Sequence, residues 1–102
     1  MYDLLITAAA EADLDCIVEY MAVKLANPSA ASNFLDRVEA CYQVLQTTPL
    51  AYALCSDDVL QAKQYRRAVI NNFLLVFRIE DKHKTVHVLR FFYGRQDYVR
   101  QF

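Results

Sequence analysis

The sequence predicts an α+β domain, a two-layer sandwich in which a helical layer covers one face of an antiparallel sheet. Three observations predict it. Residues 8–47 carry apolar side chains at helical spacing, broken once at Asn27-Pro28. Residues 63–93 carry β-branched and aromatic residues, broken at Asn71-Asn72 and at Asp81-Lys82-His83-Lys84. The chain has 102 residues, 56% hydrophobic and 23% charged, which fits one domain over 1–102 with a packed core rather than disorder.

Each element follows from its residues. Tyr2 to Thr7 is apolar and β-compatible, a short first strand. Residues 8–25 lack Gly and Pro, and Leu14, Ile17, Val18, Met21 and Leu25 share one helical face. Glu11, Asp15 and Glu19 take the opposite face. Asn27 is a good N-cap and Pro28 suits the first helical position, so a second helix starts there. Its stripe is Ala31, Phe34, Leu35, Val38, Cys41, Tyr42 and Leu45, and Thr48-Pro49 ends it. The two helices are expected to form an antiparallel hairpin. Residues 49–62 show no period and read as a connecting loop. Then comes a three-stranded meander over 63–70, 73–80 and 85–93. Asn71-Asn72 turns the first hairpin, since Asn tolerates positive φ. The single glycine, Gly94, ends the last strand, and a short tail with a helical turn follows.

The formal net charge of −1 excludes a uniformly basic nucleic-acid binder. It conceals a split. Residues 1–62 hold two cations and nine anions, a balance of −7, whereas residues 63–102 hold nine cations and three anions, a balance of +6. Such asymmetry suggests an anionic partner for the basic half. The three cysteines, Cys16, Cys41 and Cys55, have neither disulfide-framework nor zinc spacing, and Cys16 and Cys41 read as small buried apolar residues. No metal or cofactor is expected. The N-terminal apolar run is too short for a signal peptide or a membrane span, so the chain reads as cytoplasmic with no membrane partner.

Period-two alternation sorts the sheet once a register is chosen. With Ile70 opposite Phe73 and Glu80 opposite Thr85, the helix-facing set is Ala68, Ile70, Phe73, Leu75, Phe77, Ile79, Val86 and Val88. The open face receives Tyr65, Arg67, Val69, Leu74, Val76, Arg78, His87, Leu89 and Phe91, followed by Tyr93 and Arg95. On it Tyr65 opposes Arg78, Arg78 opposes His87 and Arg67 opposes Val76. Cations among aromatic rings suit a nucleic-acid backbone. The competing reading has these arginines packed over apolar neighbours and paired with Glu80 and Asp97. His87 reads first as a cross-strand partner, and His83 as a solvated turn residue.

Several segments together resemble the RelE/ParE superfamily of bacterial type II toxin–antitoxin toxins. They are Asn27-Pro28-Ser29-Ala30-Ala31, Tyr65-Arg66-Arg67, the run Asn71 to Ile79, and the run Val86 to Tyr98. Their order and spacing cover nearly the whole chain. The resemblance implies this same strand, helical hairpin and meander fold. It also implies a cytoplasmic, growth-inhibiting toxin of the plasmid-stabilisation kind, with a cognate antitoxin as partner. Operator DNA would be reached only indirectly, through the antitoxin.

The resemblance leaves the target open. RelE-like members cut mRNA in the ribosomal A site using cations on the sheet face, whereas ParE-like members share the fold and poison DNA gyrase. By position, Arg67 and Arg95 match cationic residues of the ribonucleases, and Tyr98 is the nearest match to their C-terminal Tyr. Leu74 stands where those enzymes place a phosphate-binding Arg, and Tyr65 falls near a position that is usually Lys. Cleavage needs a proton acceptor and a donor, which Arg does not supply, so His87, Tyr65, Tyr93 or Tyr98 would have to move protons. The expected catalytic set is thus Arg67, Arg95, His87 and Tyr98, with Tyr65, Arg66, Arg78, Arg90 and Tyr93 as binding residues. The departures at Leu74 and Tyr65 favour a gyrase inhibitor of the ParE kind. A ribosome-dependent endoribonuclease, or a homologue that binds antitoxin without toxicity, is the alternative.

Overall fold

Thr7 alone joins the first strand, β1 (Asp3–Ile6), to the first helix, α1 (Ala8–Glu19). Its hydroxyl accepts from the Ala10 N–H at 3.1 Å and donates to the Leu89 carbonyl at 2.8 Å. One side chain therefore caps α1 and ties it to the sheet. The computed structural model describes residues 1–94 and 98–102, except the side chains of Tyr98 and Gln101.

The expected helix over 8–25 is α-helical only to Glu19; Tyr20–Lys24 form a π-turn, in which the Leu25 N–H donates to the Tyr20 carbonyl at 3.0 Å. The extra residue rotates the stripe. Leu14, Ile17, Val18 and Met21 reach the core, but Leu25 is exposed, contrary to its expected place. Cys16 is likewise exposed, not buried. Asn27 caps the second helix, α2 (Pro28–Thr47), accepting from the Ala30 N–H at 3.1 Å with Pro28 in its first turn. Ala31, Phe34, Val38, Cys41 and Leu45 of its stripe are buried, while Leu35 is exposed.

Residues 49–62 are more than a connecting loop. They form a 3₁₀ turn (Pro49–Ala51) and a short helix, α3 (Asp58–Ala62), capped by the Asp57 carboxylate, which accepts from Val59 and Leu60 N–H. Then follow β2 (Arg66–Ile70), β3 (Phe73–Glu80) and β4 (Thr85–Tyr93). The sheet order is β1-β4-β3-β2, antiparallel except that β1 runs parallel to β4. The sheet is therefore mixed rather than antiparallel: the helical layer carries the chain away from β1, so that β4 can return alongside it in the same direction. Ile70 opposes Phe73, Arg78 opposes His87 and Glu80 opposes Thr85, as the register predicted. Asn71 turns the hairpin at φ 54°.

Two apolar clusters flank the sheet. One lies beneath α1 and α2 and contains Phe34, Leu45, Leu75, Phe77, Val86, Val88 and Phe91. The other lies on the opposite face, where α3 brings Leu60 and Cys55 against Val76 and Phe92. That face is partly covered, and the 3₁₀ turn Tyr98–Gln101 ends in Phe102, whose ring meets Tyr65 and Phe92. Among the described residues no helix is long and apolar enough to cross a membrane.

Candidate functional site

The open face keeps Arg67, Arg78 and His87 together. Arg67 opposes Val76 on β3, and Arg78 opposes His87 on β4, all with side chains turned away from the helices. Both arginines are half-buried, and Val69 beside them is exposed. The charge of Arg67 reaches the Cys55 thiol, but burial dominates and pushes that thiol up from its ordinary value.

His87 is not an unattached base. Its Nε2 lies 2.9 Å from Glu80 Oε1, and the other Glu80 oxygen holds Nδ1 of His83. His83 is thus a partner of Glu80, not a merely solvated turn residue. These two contacts, that of His83 first, hold the Glu80 carboxyl below its ordinary range. Among the described contacts neither arginine pairs with Glu80, whose two oxygens meet the two histidines instead.

A β-bulge reassigns the end of β4. Phe77 opposes Val88 but Val76 opposes Arg90, so Leu89 is the extra residue. The shift turns Phe91 and Tyr93, both expected on the open face, toward the helices. Phe91 joins the main core, and the Tyr93 ring packs on Phe73 at 5.7 Å. Phe92 takes the open face instead.

Three more expected binding residues serve the fold. Arg66 donates to the Tyr52 carbonyl at 2.7 Å, which fixes the strand edge. Arg90 makes a bidentate pair with Asp13 at 2.6 and 3.0 Å, and the same carboxylate accepts from the Phe91 N–H at 3.0 Å. Asp13 thereby occupies a β4 backbone site beyond the end of β1, and its contact raises the Arg90 guanidinium further. Tyr65 precedes β2 rather than lying in it; its carbonyl accepts from Cys55 N–H, and its ring lies 5.2 Å from that of Phe102. Arg95 lies outside the described residues, as does the Tyr98 side chain.

The phenols near the core are held protonated. Tyr42 and Tyr52 are each pushed up to about 12, chiefly by burial, and Tyr52 donates to the Cys41 sulfur at 3.6 Å. Leu74 is buried in β3, so no cation reaches the open face from that position. Sequence reasoning named Glu80 as a partner for the arginines rather than for the two histidines. It missed Asp13, which sits in a run of charge whose spacing carries no signal for a partner 77 residues away.

A strand, a helical pair and a meander with cations on its open face form the arrangement that the resemblance to RelE/ParE toxins implied. The sequence model for the ParE toxin of the type II toxin–antitoxin system parDE matches residues 4–98, and the chain belongs to that family. It is similar to a chain of the chromosomal ParDE toxin–antitoxin system from P. aeruginosa, with 25% identity and a TM-score of 0.71 over 91% of this chain and 96% of that one. A chain of the RelBE2 toxin–antitoxin complex from Mycobacterium tuberculosis shares the fold, with 22% identity and a TM-score of 0.63 over 90% of this chain and 96% of that one. No curated protein matches the sequence.

Proposed function

We propose that this toxin arrests growth by binding and inhibiting DNA gyrase in the cytoplasm, and that a cognate antitoxin encoded beside it neutralises it. Leu74 carries this reading. It stands where the resemblance to RNA-cleaving members calls for a phosphate-binding cation, and its side chain is buried. His87 is tied through Nε2 to Glu80, which leaves Nδ1 alone for any proton transfer. A binding toxin needs no acid–base pair, only a charged surface that survives folding. Arg67 and Arg78 provide one.

A second reading, ribosome-dependent mRNA cleavage, draws on those same two guanidiniums, which suit phosphate. Induced expression in bacteria without the antitoxin separates the two. The gyrase reading expects a DNA-damage response with message intact. Rapid translation arrest with cut message would replace it by the ribonuclease reading, and harmless induction would remove both.

A further inference from the structure

We infer that the outer edge of β2 takes an extended, acidic segment of gyrase as an added strand. The inference rests on the gyrase reading above and names where, and by what chemistry, the chain holds its target. β2 is the last strand of the sheet, so one side of its backbone has no neighbouring strand. Residues 53–55 cover its start: the Cys55 N–H donates to the Tyr65 carbonyl at 2.8 Å, and the Arg67 N–H donates to the Ala53 carbonyl at 3.1 Å. Outward-facing backbone groups recur every second residue, so the Val69 N–H and C=O point the same way as those of Arg67. Among the described residues no loop meets them, and the Val69 side chain is 67% exposed. An added strand continues the line that residues 53–55 begin.

The two faces beside this edge select the occupant. On the helix side a cavity of about 240 Å³ is lined by Cys41, Val44, Tyr52 and Ile70, with the exposed Arg37 at its mouth. On the open face Arg67 lies two residues from Val69. Among the described residues neither guanidinium makes an ion pair. Side chains of an added strand alternate between the faces. The residue opposite Val69 falls on the open face near Arg67, and its neighbours fall on the helix side, beside the cavity and Arg37. A segment with an apolar residue and carboxylates close to it in sequence satisfies both faces. The edge is continuous with the face of Arg67 and Arg78 that the gyrase reading uses, which assigns it to the target rather than to the antitoxin. A second copy of this chain fits less well, because its β2 brings Arg66 and Arg67 to an edge that is already cationic. A nucleic acid offers neither a strand for the Val69 backbone nor an aliphatic group for the cavity.

The Val69 amide reports directly on strand addition, since it faces water in the free chain. Purified gyrase is added to the wild-type chain, and deuterium exchange of that amide is timed. Slowing of at least about tenfold supports the inference. So does a loss of at least about tenfold in the gyrase affinity of R37E, a change on the exposed side of α2, that sharpens as salt falls. Gyrase bound with Val69 exchanging at the free rate, or bound equally well by R37E, overturns the inference and leaves the gyrase reading intact. Slowing by the adjacent-frame product and not by gyrase overturns it in favour of the antitoxin. Slowing by DNA alone, or in the chain alone at high concentration, overturns it in favour of nucleic acid or self-association. No binding of gyrase at all overturns the gyrase reading and this inference together.

Discussion

At the scale of single residues, two carboxylates organise this protein. Asp13 serves three donors, the Arg90 Nε and Nη groups and the Phe91 N–H. Asp13→Ala leaves a half-buried guanidinium and a backbone N–H without their acceptor, at a cost of about 2 kcal/mol in denaturant unfolding. Asp13→Asn keeps an acceptor and should lose less; equal losses would contradict the assignment. Glu80 gives a pH dependence of known sign. Its carboxyl titrates lower when folded than when unfolded, so its contribution is present above the unfolded value, about 4.3, and is lost as pH falls through the folded one. The stability gap between the wild type and Glu80→Gln should therefore close on acidification below about pH 4. A gap that widens there would reverse the sign. The Asp13 partnership was not legible in the sequence, because a charge in a solvated run looks the same whether or not a distant strand presents a donor to it; Glu80 was expected to pair with arginines and meets His83 and His87 instead.

Elements were legible where their determinants are local. The Asn27-Pro28 cap, the Asn71 turn and the stripes of α1 and α2 follow from backbone preference and period. What escaped depended on context. The bulge at Leu89 lies in an unbroken β-rich run with no glycine to mark it, and it moves Phe91 and Tyr93 across the sheet. The short α3 was hidden by its length, since five residues are too few to show a helical period. Leu60 is fully buried on the face it covers, so Leu60→Ala should cost about 2–4 kcal/mol, read from the denaturant midpoint. A loss under about 1 kcal/mol would mean that this face is not a second core. At the hairpin, Asn71 is left-handed at φ 54°, so Asn71→Val should destabilise by about 1–2 kcal/mol while Asn71→Gly is near neutral. Similar effects from both would place the constraint elsewhere.

For the whole molecule, the charge split maps onto the layers. Acidic residues line the helical side, and four of the nine cations of the basic half fall into two contrasting pairs. Arg66 and Arg90 are committed to the fold, while Arg67 and Arg78 stay on the open face. The sequence showed nine cations in that half but not this division, because it depends on which acceptors the helices and loops bring near. The buried Leu74 is what supports the proposed toxin that binds over one that cuts RNA. The most direct test is supercoiling of relaxed plasmid by purified gyrase and ATP, with the purified chain titrated in. Supercoiling should fall in proportion to the chain added and recover when the adjacent-frame product is included. Unchanged supercoiling at a large excess of the chain would contradict the account.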